Sequence, residues 1–144
     1  MINIALHNHS DFSIDKNSIN DLTNLVLNNH GYTNGEINII ITDDDSLRKM
    51  KIQFFNEDVF TDVIAFNIEE SPFEGEIYIS YHRVIDNAQK FNQPIEVELK
   101  RVVVHGLLHL CGHEDSTPKL KNNMSSLEDN FLKQFNQLVI IDNA

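Results

Sequence analysis

Apolar and polar positions in this chain alternate over short segments, and these segments are separated by stretches with helical spacing. Four segments favour β-strands because they alternate in polarity or are rich in β-branched residues: residues 2–6, 36–42, 63–66 and 76–80. Helical spacing predicts helices at residues 18–29, after Asp45, and at residues 81–91, 95–111 and 120–138. Ser18 is expected to cap the first helix.

The order of these elements predicts the fold class. Strands that alternate with helices, together with one strand pair, are typical of an α/β (α+β) protein in which helices cover a small mixed β-sheet. No repeat, low-complexity tract or linker interrupts the pattern, so we expect one domain over residues 1–144. The helix at residues 95–111 is apolar on every side, which predicts that it is buried.

Composition narrows the possible functions. Asp and Glu number 22 against 11 Lys and Arg, and the resulting net charge of −11 disfavours long-range attraction of nucleic acid. Neither a signal peptide nor an apolar run of about 20 residues is present, so we expect a soluble, cytoplasmic protein with no membrane partner. RNA binding would need a local basic patch, for which the candidates are Arg48, Lys49, Lys51, Lys100, Arg101, Lys119 and Lys121.

Candidate chemistry lies in the segment HGLLHLCGHED, residues 105–115. His105 and His109 are four residues apart on the apolar helix, which brings both imidazoles to one side and lets them share a tetrahedral zinc ion. The alternative is two core histidines with separate hydrogen-bond partners. Shared metal binding is favoured because a buried imidazole pair would otherwise need two such partners. Cys111 lies on another side of the helix and is interpreted as a packing residue.

The third ligand is expected beyond the end of this helix. Gly112 is the natural residue to end it in a left-handed conformation, after which the chain can turn back. Asp115 is favoured as the third ligand, and His113 is the alternative, although it has less chain with which to return. Glu114 is expected to be exposed. Three protein ligands leave a fourth position for water, as in catalytic zinc sites, which argues for hydrolysis.

Gly106 separates this motif from zinc peptidases of the HExxH type, in which the glutamate at that position is the general base. Glycine inside a helix costs ~1 kcal/mol relative to alanine, so we expect either a close contact or space for a substrate there. The catalytic group would be a water on the metal, and no other acid or base can be identified. Glu98 is interpreted as structural or exposed, and nothing places His82 or Arg83 near the metal.

The motif resembles a known signature. HGLLHLCGHED is similar to the pattern H-G-x-L-H-L-x-G-x-x-H of the YbeY family, the zinc-dependent endoribonucleases and ribosomal RNA maturation factors of bacteria. TDVIAF at residues 61–66 resembles the family's T-D-V-L-S-F, and GEIYIS at residues 75–80 resembles its G-D-I-x-I-S. The resemblance covers residues 36 to 135, with weaker agreement before them.

Two positions depart from the family's pattern. Asp115 stands where most members have a third histidine, which keeps a metal-binding residue type at the position. Phe55 stands where members carry an arginine thought to contact RNA. The nearest basic residues, Lys49 and Lys51, could replace the charge of that arginine but not its bidentate geometry towards phosphate.

The resemblance implies both a fold and a function. The fold would be a four-stranded mixed sheet packed with helices. The activity would be single-strand-specific RNA cleavage with one zinc ion per chain, in 3′-end maturation of the small-subunit (16S) ribosomal RNA and in ribosome quality control. The partners would be the small ribosomal subunit or its associated proteins. A non-catalytic, zinc-stabilised ribosome-assembly factor is the alternative, and a metallopeptidase is a weaker one.

Overall fold

Strand pairing brings the four predicted strands into one mixed sheet. The structure, a computed structural model, describes residues 1–141. Its elements are β1 (Ile2–Asn8), α1 (Lys16–Asn29), β2 (Gly35–Thr42), α2 (Asp44–Phe55), β3 (Val63–Glu70), β4 (Phe73–Ser80), α3 (Tyr81–Lys90), α4 (Ile95–Leu110) and α5 (Pro118–Gln134). The strands lie in the order β1-β2-β4-β3. β2 is parallel to both β1 and β4, and β3 is antiparallel to β4, which confirms the predicted fold class.

The register of the sheet stacks isoleucines across neighbouring strands. Ile4 pairs with Ile37, and Ile39 pairs with Ile77. Alternate residues of a strand point to the same face, so these side chains form one apolar layer. All four belong to the buried core, which α1 and α4 complete by packing against the sheet and against each other.

Helix α4 is the central helix of the fold. Ten of its 16 residues are buried, which confirms the burial that its all-round apolar sequence predicts. It contacts α1, α3, α5 and the strands β3 and β4. Each fully buried Val or Leu side chain contributes roughly 1.5–3 kcal/mol, so this helix is held rigidly in place.

The start of α1 differs from the prediction. The helix begins at Lys16, and Asp15 rather than Ser18 is its cap: Asp15 Oδ1 accepts hydrogen bonds from the backbone N–H groups of Asn17 and Ser18. The Ser18 hydroxyl instead donates to Asp15 Oδ2 at 3.1 Å. Aspartate and serine are comparable caps, and here the earlier residue takes the position.

The end of α5 also differs from the prediction. The helix stops at Gln134 rather than at residue 138, and the helical spacing of Leu138 is misleading because this side chain is 65% exposed. Beyond the helix, the backbone N–H groups of Val139 and Ile140 donate to the Glu96 carboxylate at 2.7 and 2.8 Å. Within residues 1–141, no helix is both long and apolar enough to cross a bilayer.

Candidate metal centre

Helix α4 carries both histidines of the motif on one side, as their spacing predicts. The Nε2 atoms of His105 and His109 lie 3.0 Å apart, and the two rings meet edge to face. Both side chains are partly buried at the wall of a cavity. Two ring nitrogens that converge in this way can bind a shared cation from one rigid element.

Gly106 allows α4 to lie close to the sheet. A Cβ atom at this position would be 2.9 Å from Cγ2 of Ile77 and 3.0 Å from Cγ2 of Val63, closer than side chains normally pack. Of the two reasons expected for this glycine, the structure therefore shows the close contact. The position that holds the general base in HExxH peptidases points at β3 and β4 in this protein.

Gly112 turns the chain back towards the two histidines. Its φ of +95° confirms the left-handed conformation expected at the end of the helix. The turn brings the Asp115 carboxylate to the histidines: Oδ2 is 3.3 Å from His105 Nε2, and Oδ1 is 3.7 Å from His109 Nε2. The ligand atoms of the three residues all lie within 4.8 Å of one another.

These donors suit a single divalent metal. Tetrahedral zinc with Zn–N distances of about 2.0–2.1 Å separates its ligand atoms by roughly 3.3 Å. The two histidine nitrogens lie 3.0 Å apart, and the two Asp115 oxygens lie 3.3 Å from His105 and 3.7 Å from His109, so the donors are close to that spacing. Two imidazoles and one carboxylate also suit other first-row transition metals, so the donor set alone does not specify zinc.

His113, the alternative third ligand, also lines the cavity, but it is not among the three converging donors, and its ring contacts His30 instead. Its Nε2 atom lies 2.9 Å from Nε2 of His30, whose Nδ1 is 2.8 Å from the backbone carbonyl of Val26. Burial and the neighbouring His30 lower the pKa of His113, which favours its neutral form. His113 thus links the loop after α4 to α1, while Asp115 joins the histidine pair.

Glu128 of α5 fixes the orientation of His105. Its Oε2 atom is 2.6 Å from His105 Nδ1, and its Oε1 atom accepts a hydrogen bond from Arg101 at 3.0 Å. A carboxylate on the outer ring nitrogen selects the tautomer that leaves Nε2 free for a metal. Glu128 is only 5% exposed, so this contact lies in a region of low dielectric.

The two histidines have opposite pKa shifts. Burial lowers the pKa of His105, but the hydrogen bond and the negative charge of Glu128 outweigh it, so the pKa is raised overall. Burial and the adjacent His105 lower the pKa of His109. His109 is therefore ready to bind a metal as the neutral ring, whereas a metal must displace a proton from His105 in mildly acidic solution.

Glu128 was not predicted as a functional residue from the sequence, although a signal was present. In α5 this glutamate lies four residues after Met124 and three before Phe131, and all three side chains are buried. An acid in the apolar stripe of a helix needs a partner in the core. That partner could not be named from the sequence, because it depends on how α5 crosses α4.

The candidate centre opens into a cavity of about 570 Å³. Residues from β3 and from the loop after α4 form most of its lining, and α2 contributes Lys51 and Phe55. Within residues 1–141, Lys51 is the only Lys or Arg among the lining residues. Its Nζ atom lies 4.6 Å from the centre of the Phe55 ring.

A smaller cavity of about 220 Å³ adjoins His105 and contains a group of acids. Glu98 is 4% exposed, so it is a buried, structural carboxyl group and not an exposed one. Burial and the nearby Asp62 raise the pKa of Glu98, and burial likewise raises the pKa of Asp62. These carboxyl groups line the smaller cavity together with Glu128 and Arg101, and Asp62 also lines the larger cavity beside His105 and His109.

Most other residues singled out in the sequence have local roles. His82 and Arg83 line a separate cavity, where Arg83 pairs with Asp44. Burial raises the pKa of Cys111 to about 12, in keeping with a packing role, and Glu114 is exposed as expected. Several of the candidate cations for RNA binding are paired with acids: Arg48 with Asp58, Lys100 with Glu96, and Arg101 with Glu128 and Asp129.

Comparison with known proteins identifies relatives along nearly the whole chain. The sequence profile of the family described as Endoribonuclease YbeY matches residues 4–136. Endoribonuclease YbeY of Flavobacterium johnsoniae is 37% identical over 134 residues, and that of Flavobacterium psychrophilum is 40% identical over 135 residues. Each alignment covers 92% of this chain and 96% of the relative.

A solved structure supports the same relationship. The solution structure of TM1509 from Thermotoga maritima matches this fold with a TM-score of 0.62 and 27% sequence identity, covering 94% of this chain and 89% of that one. The profile match, the sequence relatives and the shared fold together confirm the resemblance seen in the motif. The chain belongs to the endoribonuclease YbeY family and is therefore an enzyme of the hydrolase class.

Proposed function

We propose that this protein is a zinc-dependent endoribonuclease that cleaves single-stranded RNA, with His105, His109 and Asp115 as the metal ligands. The observation that carries the proposal is the convergence of these three donors, within 4.8 Å of one another, at the wall of an open cavity. Family membership supplies the reaction class, and the donor set supports a divalent metal as its cofactor.

Each residue of the centre has a distinct task in this proposal. A bound metal would lower the pKa of a coordinated water towards neutrality and polarise a phosphoryl oxygen. Glu128 holds His105 so that Nε2 faces the ligand position. His109 has a lowered pKa and therefore binds without first losing a proton at neutral pH. Lys51 supplies the positive charge in the cavity that a phosphate needs.

We propose that the substrate is ribosomal RNA near the 3′ end of the small-subunit RNA, presented by the small ribosomal subunit or its proteins. A net charge of −11 opposes capture of free RNA from solution. A ribosomal particle that holds the RNA in place would remove the need for the protein to capture free RNA. Isolated protein should therefore cleave free RNA weakly and ribosomal precursors well.

A non-catalytic assembly factor, the alternative drawn from the sequence, is disfavoured by family membership, and its support is the single basic side chain among the described cavity residues. In that case the metal would only fix the loop that carries Asp115. A peptidase is disfavoured, because Gly106 packs against β3 and β4 where a general base would be needed.

The decisive experiment compares purified, metal-loaded protein with His109→Ala, prepared identically, on small-subunit RNA and on immature ribosomal particles. We expect cleavage by the parent protein, stronger on particles, and loss of cleavage in the variant, because removing a metal ligand removes the metal-activated water on which the proposed reaction depends. Equal cleavage by both proteins would indicate a contaminating nuclease. Absence of cleavage of either substrate by the metal-loaded protein would favour the assembly factor.

A further inference from the structure

The C-terminal end of α2 presents aromatic surface to the cavity of the metal centre. Phe55 is the last residue of this helix, and it lines that cavity with 43% of its surface exposed. Its ring lies nearly parallel to that of Phe66 on β3, with an interplanar angle of 19° and a centroid separation of 6.1 Å. Phe66 thereby supports Phe55 without covering it, and the ring remains accessible.

A lysine side chain lies beside this aromatic surface. Lys51 lies one helical turn before Phe55, and its Nζ atom is 4.6 Å from the Phe55 ring centre. The side chain of Lys51 is held between that ring and Glu57, whose carboxylate is 3.9 Å away. A cation beside an accessible ring matches the two parts of a nucleotide, because the ammonium suits the phosphate and the ring suits the base.

The position of this pair favours RNA over a protein partner. Both side chains line the same cavity as His105, His109 and Asp115, so the surface is continuous with the candidate metal centre. A strand bound in this cavity would therefore lie beside them. Proteins read single-stranded RNA by stacking its unpaired bases on aromatic side chains, a contact that tolerates many sequences.

We propose that Phe55 is a stacking site for an unpaired nucleobase of single-stranded RNA beside the scissile phosphate, with Lys51 contacting an adjacent phosphate. This inference rests on the proposed ribonuclease function and adds a subsite to it. An accessible ring binds a base and not the RNA backbone, so affinity at this subsite depends on bases being present and unpaired.

The test measures RNA binding separately from cleavage. Binding of a fluorescent single-stranded oligonucleotide is followed in the His109→Ala background, and kinetics are followed in the native, metal-loaded protein. We expect Phe55→Ala to weaken binding and to raise KM roughly tenfold, with a smaller change in kcat, which is the scale of one lost stacking contact. Phe55→Trp should retain binding to within about threefold, since its larger ring also stacks.

Two controls make the result specific. Phe54→Ala removes a neighbouring aromatic residue that is 57% exposed and is absent from the cavity lining, and it should leave affinity unchanged. Oligonucleotides with abasic sites should bind weakly to the parent protein, and Phe55→Ala should not lower their affinity any further. Thermal melting of each variant verifies that the fold is retained.

The possible outcomes are distinct. Equal RNA affinity of the parent and Phe55→Ala, with cleavage intact, overturns the stacking site and leaves the ribonuclease function standing. Stacking-dependent binding without any cleavage supports the base site and contradicts the ribonuclease function. If Phe54→Ala and Phe55→Ala both bind RNA normally but lose association with ribosomal particles, the surface is a protein-docking site and the proposal is wrong.

Discussion

At the scale of single residues, the proposed centre depends on which side chain after Gly112 reaches the metal. Asp115 lies beside both histidines of α4, whereas His113 is hydrogen-bonded to His30. We expect His113→Ala to retain metal and Asp115→Ala to lose most of it, as measured by elemental analysis of dialysed protein. Asp115→His, which keeps a metal-binding side chain at this position, should retain metal. Loss of metal in His113→Ala together with full binding in Asp115→Ala would reverse the assignment.

The contact between Glu128 and His105 should contribute to metal affinity although Glu128 is not a proposed ligand. Replacing the carboxylate by an amide in Glu128→Gln leaves a weaker, uncharged acceptor for the Nδ1–H of His105 and makes Nε2 less basic, for which we expect roughly 10–100-fold weaker metal binding. Asp129→Asn is the matched control, because this neighbouring carboxylate is exposed and contacts only Arg101 among the described residues. Competition with a chelating dye gives both affinities, and equal values would refute the orienting role.

Glu98 should make the stability of the fold depend on pH. Burial and Asp62 raise its pKa, so the folded state holds this proton at pH values where the unfolded chain has already released it. The loss of stability from ionising the buried Glu98 carboxyl group is absent in acid. It develops as pH rises past the ordinary pKa of glutamate and is complete above the raised pKa. We therefore expect Glu98→Gln to be more stable than the parent at pH 7 and equal to it at low pH, by urea unfolding. A constant difference across pH would show that ionisation is not the cause.

At the scale of elements, the contact between α4 and the sheet is set by Gly106. In Gly106→Ala the new methyl group meets Ile77 and Val63, and overpacking of this kind costs about 1–3 kcal/mol, which exceeds the ~1 kcal/mol that alanine gains over glycine in a helix. We expect a net loss of roughly 1 kcal/mol in the free energy of unfolding. In an Ile77→Ala background the same substitution should cost less, because the nearest obstacle is gone. An unchanged penalty there would mean that the methyl group is accommodated elsewhere.

Elements and local motifs were predictable because their signals are short-range. The strands follow from β-branched runs, α4 from its apolar sequence, and the turn at Gly112 from glycine's access to positive φ. Contacts that join distant elements were not predictable. Glu128 reaches His105 across 23 residues, and His30 reaches His113 across 83, and both distances are decided by how helices cross over the sheet. The apolar spacing also ran on to Leu138, past the true end of α5, although Leu138 is exposed and the buried residues after the helix are Phe135 and Val139.

At the scale of the whole molecule, acidity limits how RNA is bound. The net charge is −11, and Lys51 is the only Lys or Arg lining the cavity within the described residues. For single strands, each phosphate neutralised contributes about −0.7 to the slope of log K against log salt concentration. We expect a total slope between about −0.7 and −1.4, corresponding to one or two phosphate contacts.

Lys51→Gln should make this slope shallower by about 0.7, while Lys49→Gln, an exposed cation outside the cavity lining, should leave it unchanged. Anisotropy titrations at several salt concentrations give the slopes. A slope steeper than about −3 would place most of the contacts on a basic surface away from this cavity.

The hydrogen bond between His113 and His30 has a consequence for how the centre would acquire its metal. The loop of residues 111–117 begins at the end of α4 and finishes at Thr117, which caps α5. The hydrogen bond between His113 and His30 fixes this loop near its middle. The loop therefore gives up much of its conformational entropy while the chain folds. The Asp115 carboxylate is consequently held at high effective concentration near the α4 histidines. Binding of an ion then requires little further ordering of the loop. Metal uptake would then be governed by diffusion and dehydration of the ion instead of by a search of the loop for its closed form.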